Sequence, residues 1–122
     1  MSKKRRPTAG QINELLLPSH AALSLVGTEH FNEGHVNELA FGLALAAAAA
    51  RRRRNAEVSI RAAAGIDLLV AFRDGARESG DWTAEFPGYT QLVAHVQYCD
   101  RFLSHQSGAA LIAALHQLDA LT

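Results

Sequence analysis

Residues 39–54 read LAFGLALAAAAARRRR, and no other segment constrains the architecture of the chain as strongly. Alanine and leucine are strong helix formers, and the segment contains no proline. Val36, Leu39 and Leu43 are spaced by three and four residues, as on one face of a helix. Small side chains also let two helix backbones approach to about 8 Å. The sequence therefore predicts a helix over 32–54 that lies at the centre of a bundle or in a subunit interface.

The rest of the composition also favours helices. Hydrophobic residues make up 48% of the 122 residues, and alanine and leucine dominate among them. Strands prefer β-branched and aromatic residues, which are few in this chain. A chain of this length has the size of one domain and can bury roughly two-thirds of its unfolded surface. We expect an all-α fold, a single-domain bundle of four to five helices.

Capping and breaking residues divide the chain into its predicted helices. Gly27 ends the first helix, Thr28 or Asn32 can cap the second, and Gly80 ends the third. Asn55 either separates the second helix from the third or lies within a helix that continues through it. A flexible basic tail is expected at 1–7, before a bundle domain at 8–122. The predicted helices are 9–26 with a kink at Pro18, 32–54, 56–79, 89–105 and 108–121.

One clear loop is predicted, the segment 80–88 with the sequence GDWTAEFPG. Its aromatic residues either pin the loop to the core or form a contact surface, because large apolar side chains are frequent at interfaces. The small residues of the second helix are the other candidates for a subunit contact. The candidate interface residues are Ala46, Ala47, Ala50, Trp82 and Phe86.

Charge is distributed unevenly although the formal net charge is zero. Eight of the twelve basic residues fall in two short runs, and all twelve acidic residues lie outside those runs. The sequence thus describes an acidic body with two basic patches. The basic residues of the two runs, our candidates for contact with nucleic acid or with a partner, are Lys3, Lys4, Arg5, Arg6, Arg51, Arg52, Arg53 and Arg54.

The run Arg51–Arg54 has three interpretations. Cations at the end of a helix interact favourably with its dipole, but one or two would suffice for that. Four arginines, with the run Lys3–Arg6, are typical of proteins that neutralise the phosphates of a nucleic acid. The acidic body argues against a nucleic acid as the ligand, because its carboxylates would repel a polyanion. In the third interpretation, the arginines bind acidic groups of another subunit or of a partner protein.

Signatures of catalysis and of metal binding are weak. The chain has no phosphate-binding glycine loop, no nucleophile elbow and no zinc-protease motif. His95 and Cys99 are one helical turn apart, so they are a candidate metal or thiol site, although a buried cysteine beside a histidine explains the pair more simply. His30 and His35 share no helix face and would meet only if a helix began between them. We predict no cofactor and no enzymatic activity.

A helix-turn-helix at 61–71 is disfavoured, because the segment lacks the expected small residue and is predicted to form one continuous helix. The single cysteine suggests a reducing compartment, and the longest apolar run is too short to cross a bilayer. We therefore expect a cytoplasmic protein without membrane contact. The leading hypothesis is a small non-enzymatic interaction or regulatory protein, acting as a homodimer or on another protein. The alternatives are a nucleic-acid-binding protein and a metal- or thiol-dependent protein.

Overall fold

The boundaries of the helices follow local capping signals. The computed structural model describes residues 21–121, with side chains described as far as residue 118. This part of the chain contains helices and no strand, which confirms the all-α prediction. The predicted tail at 1–7 and the kink at Pro18 lie outside the described residues. The described helices are α1 (residues 21–25), α2 (Glu33–Arg53), α3 (Ala56–Ser79), α4 (Tyr89–Ser104) and α5 (Gly108–Leu121).

Asn32, rather than Thr28, caps the start of α2. Its side-chain oxygen accepts a hydrogen bond from the backbone N–H of His35 at 3.3 Å. In return, Nδ1 of His35 accepts from the backbone N–H of Asn32 at 3.1 Å. This is a capping box in which histidine takes the place usually held by glutamate or glutamine. The Thr28 hydroxyl instead donates to the carbonyl of Leu25.

Two residues connect α2 to α3. Arg54 adopts the left-handed conformation at φ 55°, which lets the backbone N–H of Asn55 donate to the carbonyl of Ala50 at 2.9 Å. Oδ1 of Asn55 then accepts from the backbone N–H of Val58 and caps α3. The third helix runs without interruption through 61–71, as the sequence indicated. The short connection folds α3 back along α2.

The helices run up and down in an antiparallel order. Glu33 at the start of α2 pairs with Arg77 near the end of α3. Farther along, a Cβ on Gly65 of α3 would lie 2.7 Å from Leu43 Cδ1 of α2, so a larger residue at this position would require the Leu43 side chain to shift. The same glycine lies beside His95 of α4. Contacts of α2 with α3, α4 and α5 place α2 at the centre of the bundle.

The alanine tract is part of the core. Nine of the 21 residues of α2 are buried, and Ala46 and Ala50 have no exposed surface. Since these two side chains are covered by the chain's own helices, they leave no surface for a second subunit. Ala47 is half-buried. The sequence allowed this helix to lie at the centre of the bundle or in a subunit interface. In the structure it lies at the centre of the bundle.

Aromatic rings hold the predicted loop against the end of the bundle where α2 begins. Phe86 stacks on Phe72 of α3 with ring centroids 4.7 Å apart, and it is almost fully buried. Trp82 packs against the same Phe72 ring in a T-shaped arrangement with ring centroids 6.2 Å apart, and it is half-buried. Phe31 completes the cluster. The loop is therefore pinned to the core, and Phe86 in particular has no free surface for a partner.

None of the described helices combines the length and the apolar character that crossing a bilayer would require.

The left-handed conformation of Arg54 makes a prediction about stability. A residue with a Cβ in this conformation costs about 1 kcal/mol relative to glycine. We expect Arg54→Gly to have a free energy of unfolding about 1 kcal/mol higher than that of Arg54→Ala, measured by urea denaturation. Both variants remove the same charge, so the comparison isolates the backbone. Equal stabilities, or a more stable alanine variant, would contradict the described connection.

Candidate functional site

The arginine run of α2 lies beside the start of α5. Nε of Arg53 donates a hydrogen bond to Oε1 of Gln106 at 3.2 Å, which ties the α2–α3 connection to the α4–α5 connection. Arg52 and Arg53 line an open cavity of about 560 Å³ together with Ser107 and the first turn of α5. The positive end of the α5 dipole therefore adds to the charge of the arginines. The two connections form one end of the bundle.

A second cavity opens at the same end, between α3 and α4. It has a volume of about 430 Å³ and is lined by Asn55, Val58, Tyr98, Arg101, Phe102 and His105. The guanidinium carbon of Arg61 lies 4.7 Å from the centroid of the Tyr98 ring, within the range of a cation–π interaction. Half-buried aromatic rings and the cationic side chain of Arg101 thus share this cavity.

The described charges separate to the two ends of the molecule. We call the residues 51–61 and 100–105 the arginine-rich end; it holds six arginines and two carboxylates. The opposite, acidic end, residues 29–33 and 73–85, holds six carboxylates and two arginines. From Glu33 to Arg53, α2 spans about 30 Å at the helical rise per residue. The acidic body inferred from the sequence is therefore concentrated at one end and not spread around the arginines.

The four consecutive arginines are exposed and have no part in the described ion pairs. The salt bridges of the other arginines join Arg61 to Glu57, Arg73 to Asp74 and Arg77 to Glu33. Within the part of the chain that the structure describes, no salt bridge joins Arg51, Arg52, Arg53 or Arg54 to a carboxylate. Their charge is thus available to a ligand. The other predicted basic run, Lys3, Lys4, Arg5 and Arg6, lies outside the described residues.

The sequence analysis did not identify the part of the arginine-rich end that lies on α3 and α4. Arg61, Tyr98, Arg101 and Phe102 are remote from the arginine run in the sequence, and only the antiparallel packing of α3 on α4 brings them near it. A signal was nevertheless present. In an up-and-down bundle the connection after α2 and the connection after α4 must lie at the same end, so the residues beside each connection become neighbours.

Cys99 does not have the environment of a reactive thiol. Its side chain is buried, and this burial raises the thiol pKa to about 11, with the nearby carboxylate of Asp100 contributing to the same shift. The thiolate is the nucleophile and the metal ligand, so a protonated thiol suits neither role. His95 has a buried Nδ1 without a hydrogen-bond partner among the described residues. The geometry agrees best with a core cysteine and a histidine at the core edge.

The other histidine pair is used for structure. A helix does begin between His30 and His35, but His35 caps that helix and stacks on Phe31 with ring centroids 5.7 Å apart. His30 is exposed beside Glu29. Across the described residues, no group of three or more histidine, cysteine, aspartate or glutamate side chains is arranged to hold a metal ion.

Comparison with protein-family models, with curated proteins and with solved structures finds no match for this chain.

The environment of His95 predicts that the free energy of unfolding depends on pH. Burial, and secondarily the charge of Arg61, hold the pKa of His95 below its usual value of 6.5. The unfolded chain therefore takes up a proton near pH 6.5, whereas the folded chain does so only at lower pH. Because the unfolded state then binds more protons, stability falls as the pH drops from 7 through this window.

We expect the free energy of unfolding to fall less between pH 7 and pH 5 in His95→Gln than in the unchanged protein, as measured by urea denaturation at both values. His116→Gln, which changes an exposed histidine of α5, is the control and should keep the original dependence. If the two variants lose stability to the same extent, the assignment to His95 is wrong.

Proposed function

We propose that this protein binds nucleic acid without catalysing a reaction, and that the phosphates of the ligand contact the arginine-rich end. The supporting observation is the set of four adjacent, exposed arginines without a carboxylate partner among the described residues. Arginine presents a planar fork of N–H donors that matches a phosphate group. A nucleic-acid backbone repeats that group at a spacing that lets several arginines bind at once.

The described acidic residues, which would repel a nucleic acid, lie mainly away from the arginine-rich end. Charges interact weakly through solution beyond the Debye length, which is about 8 Å at physiological ionic strength. The acidic end lies about 30 Å away along α2, as estimated from the helical rise. A polyanion at the arginine-rich end is therefore screened from the six carboxylates at the other end. We place this activity in the cytoplasm, in keeping with the single cysteine.

The test is a binding titration of the full chain against a short DNA duplex at increasing salt. We expect the double variant Arg51→Gln with Arg52→Gln to bind about tenfold more weakly at low salt, because each neutralised phosphate contributes to affinity through counterion release. The slope of log affinity against log salt should also become shallower by up to about 2. Neither side chain makes a described hydrogen bond, so the fold should be unaffected.

The matched control is Arg73→Gln with Arg77→Gln, which removes the same charge from the acidic end. It should leave both affinity and salt slope near their original values. Equal losses in the two double variants would show that net charge alone matters, and the absence of binding at low salt would overturn the proposal.

The charge separation also supports a second candidate, an interaction with protein. The acidic end of a second copy carries the charge that complements the arginine-rich end of the first. Two copies that lie side by side in opposite directions can therefore pair each end with its complement. Such a contact would not use the core residues Ala46, Ala50 and Phe86. The alternative to nucleic-acid binding is therefore a homodimer, or a regulator that binds another protein through these charged ends.

Sedimentation of the protein alone distinguishes the two candidates. Self-association should appear at low salt and weaken on added salt. Arg51→Gln with Arg52→Gln should weaken it, because this variant removes positive charge from the arginine-rich end. Arg73→Gln with Arg77→Gln should strengthen it, because this variant makes the acidic end more negative. A protein that remains monomeric at tens of micromolar and low salt would exclude the homodimer, and it would leave nucleic-acid binding and the binding of another protein unaffected.

A further inference from the structure

We infer that the cavity between α3 and α4 accepts an unpaired base, so that the preferred ligand of the arginine-rich end is a single-stranded nucleic acid. This inference rests on the proposed function and names its substrate class. Its basis is the combination of shape, chemistry and position in the cavity lined by Asn55, Val58, Tyr98, Arg101, Phe102 and His105.

The cavity suits a small planar ligand. Its volume of about 430 Å³ falls within the usual range of pockets for small molecules. Val58 borders the cavity but is almost fully buried, so the contact surface comes from the half-buried rings of Tyr98 and Phe102. The cation–π contact with Arg61 restrains the Tyr98 ring before a ligand arrives. Bases stack on aromatic side chains in many proteins that bind single strands.

Polar groups around the cavity can bind the edge of a base. Nδ1 of His105 lies 2.7 Å from the carbonyl oxygen of Arg101, and a carbonyl can only accept, so this nitrogen carries a proton. In the neutral ring, Nε2 is then left as an acceptor. The side-chain oxygen of Asn55 is used to cap α3, which leaves its NH₂ group as a donor. The cavity thus offers one acceptor and one donor beside its aromatic rings.

The position of the cavity links it to the phosphate contacts. Asn55 directly follows Arg54, so their Cα atoms are about 3.8 Å apart. Arg101 belongs to the cavity itself. A strand with its phosphates on the arginine run can therefore place a neighbouring base in the cavity, whereas a paired base in a duplex cannot enter without leaving its stack.

The experiment compares three ligands of equal length for binding to the full chain by fluorescence anisotropy: an oligothymidylate strand, the same strand with abasic sites in place of its bases, and a duplex. The abasic strand has the same phosphates, so it isolates the contribution of the bases. We expect the oligothymidylate to bind about tenfold more tightly than the abasic strand, since stacking of one base supplies an effect of this size. It should also bind more tightly than the duplex.

Phe102→Leu should reduce the tenfold preference to near unity, because it keeps an apolar side chain of similar size but removes the ring. Phe41→Leu, which changes an exposed phenylalanine of α2, should preserve the preference. If Phe102→Leu fails to fold, the comparison of the three ligands on the unchanged protein still tests whether a base contributes to binding.

The outcomes separate the inference from the proposed function. Equal, salt-dependent binding of the oligothymidylate and the abasic strand, or stronger binding of the duplex, would overturn the base cavity and leave nucleic-acid binding intact. No binding of any of the three at low salt would overturn both.

Discussion

The close packing of the other helices on α2 is the constraint on which the rest of the structure depends. Small alanine side chains let neighbouring helices approach α2 closely, and Gly65 brings α3 against Leu43, whose side chain would have to shift to accept a Cβ there. α3, α4 and α5 all contact this one helix, and the connections between consecutive helices reverse the direction of the chain. The antiparallel order follows, and with it the grouping of the connections at two ends of the molecule.

The fold converts a separation of charge along the chain into a separation in space. The carboxylates near the start of α2 and near the end of α3 are about 40 residues apart in sequence, yet the antiparallel pairing brings them to one end, where Arg77 meets Glu33. The arginines at the end of α2 meet those of α3 and α4 at the other end. A chain with zero formal charge thereby acquires two ends of opposite sign.

Helix boundaries could be predicted from the sequence because their determinants are local. Asn55 and Gly80 act on the residues beside them, and α3 begins and ends where they indicated. The arginine run was visible because it is contiguous, whereas Tyr98 and Phe102 join it only through packing between helices. The location of the alanine tract was undecided for another reason, since small side chains serve a helix in a core and a helix in a subunit interface equally well. Burial of Cys99 likewise depends on its neighbours in space.

The two-residue connection between α2 and α3 has a consequence for the kinetics of association. Because a helix end and a capped turn hold the backbone of the four arginines, little backbone entropy is lost when these residues bind a ligand. In addition, the electric field of any polyanion exerts a torque on a molecule with oppositely charged ends. That torque turns the arginine-rich end toward the polyanion before contact, which raises the fraction of productive encounters at low ionic strength.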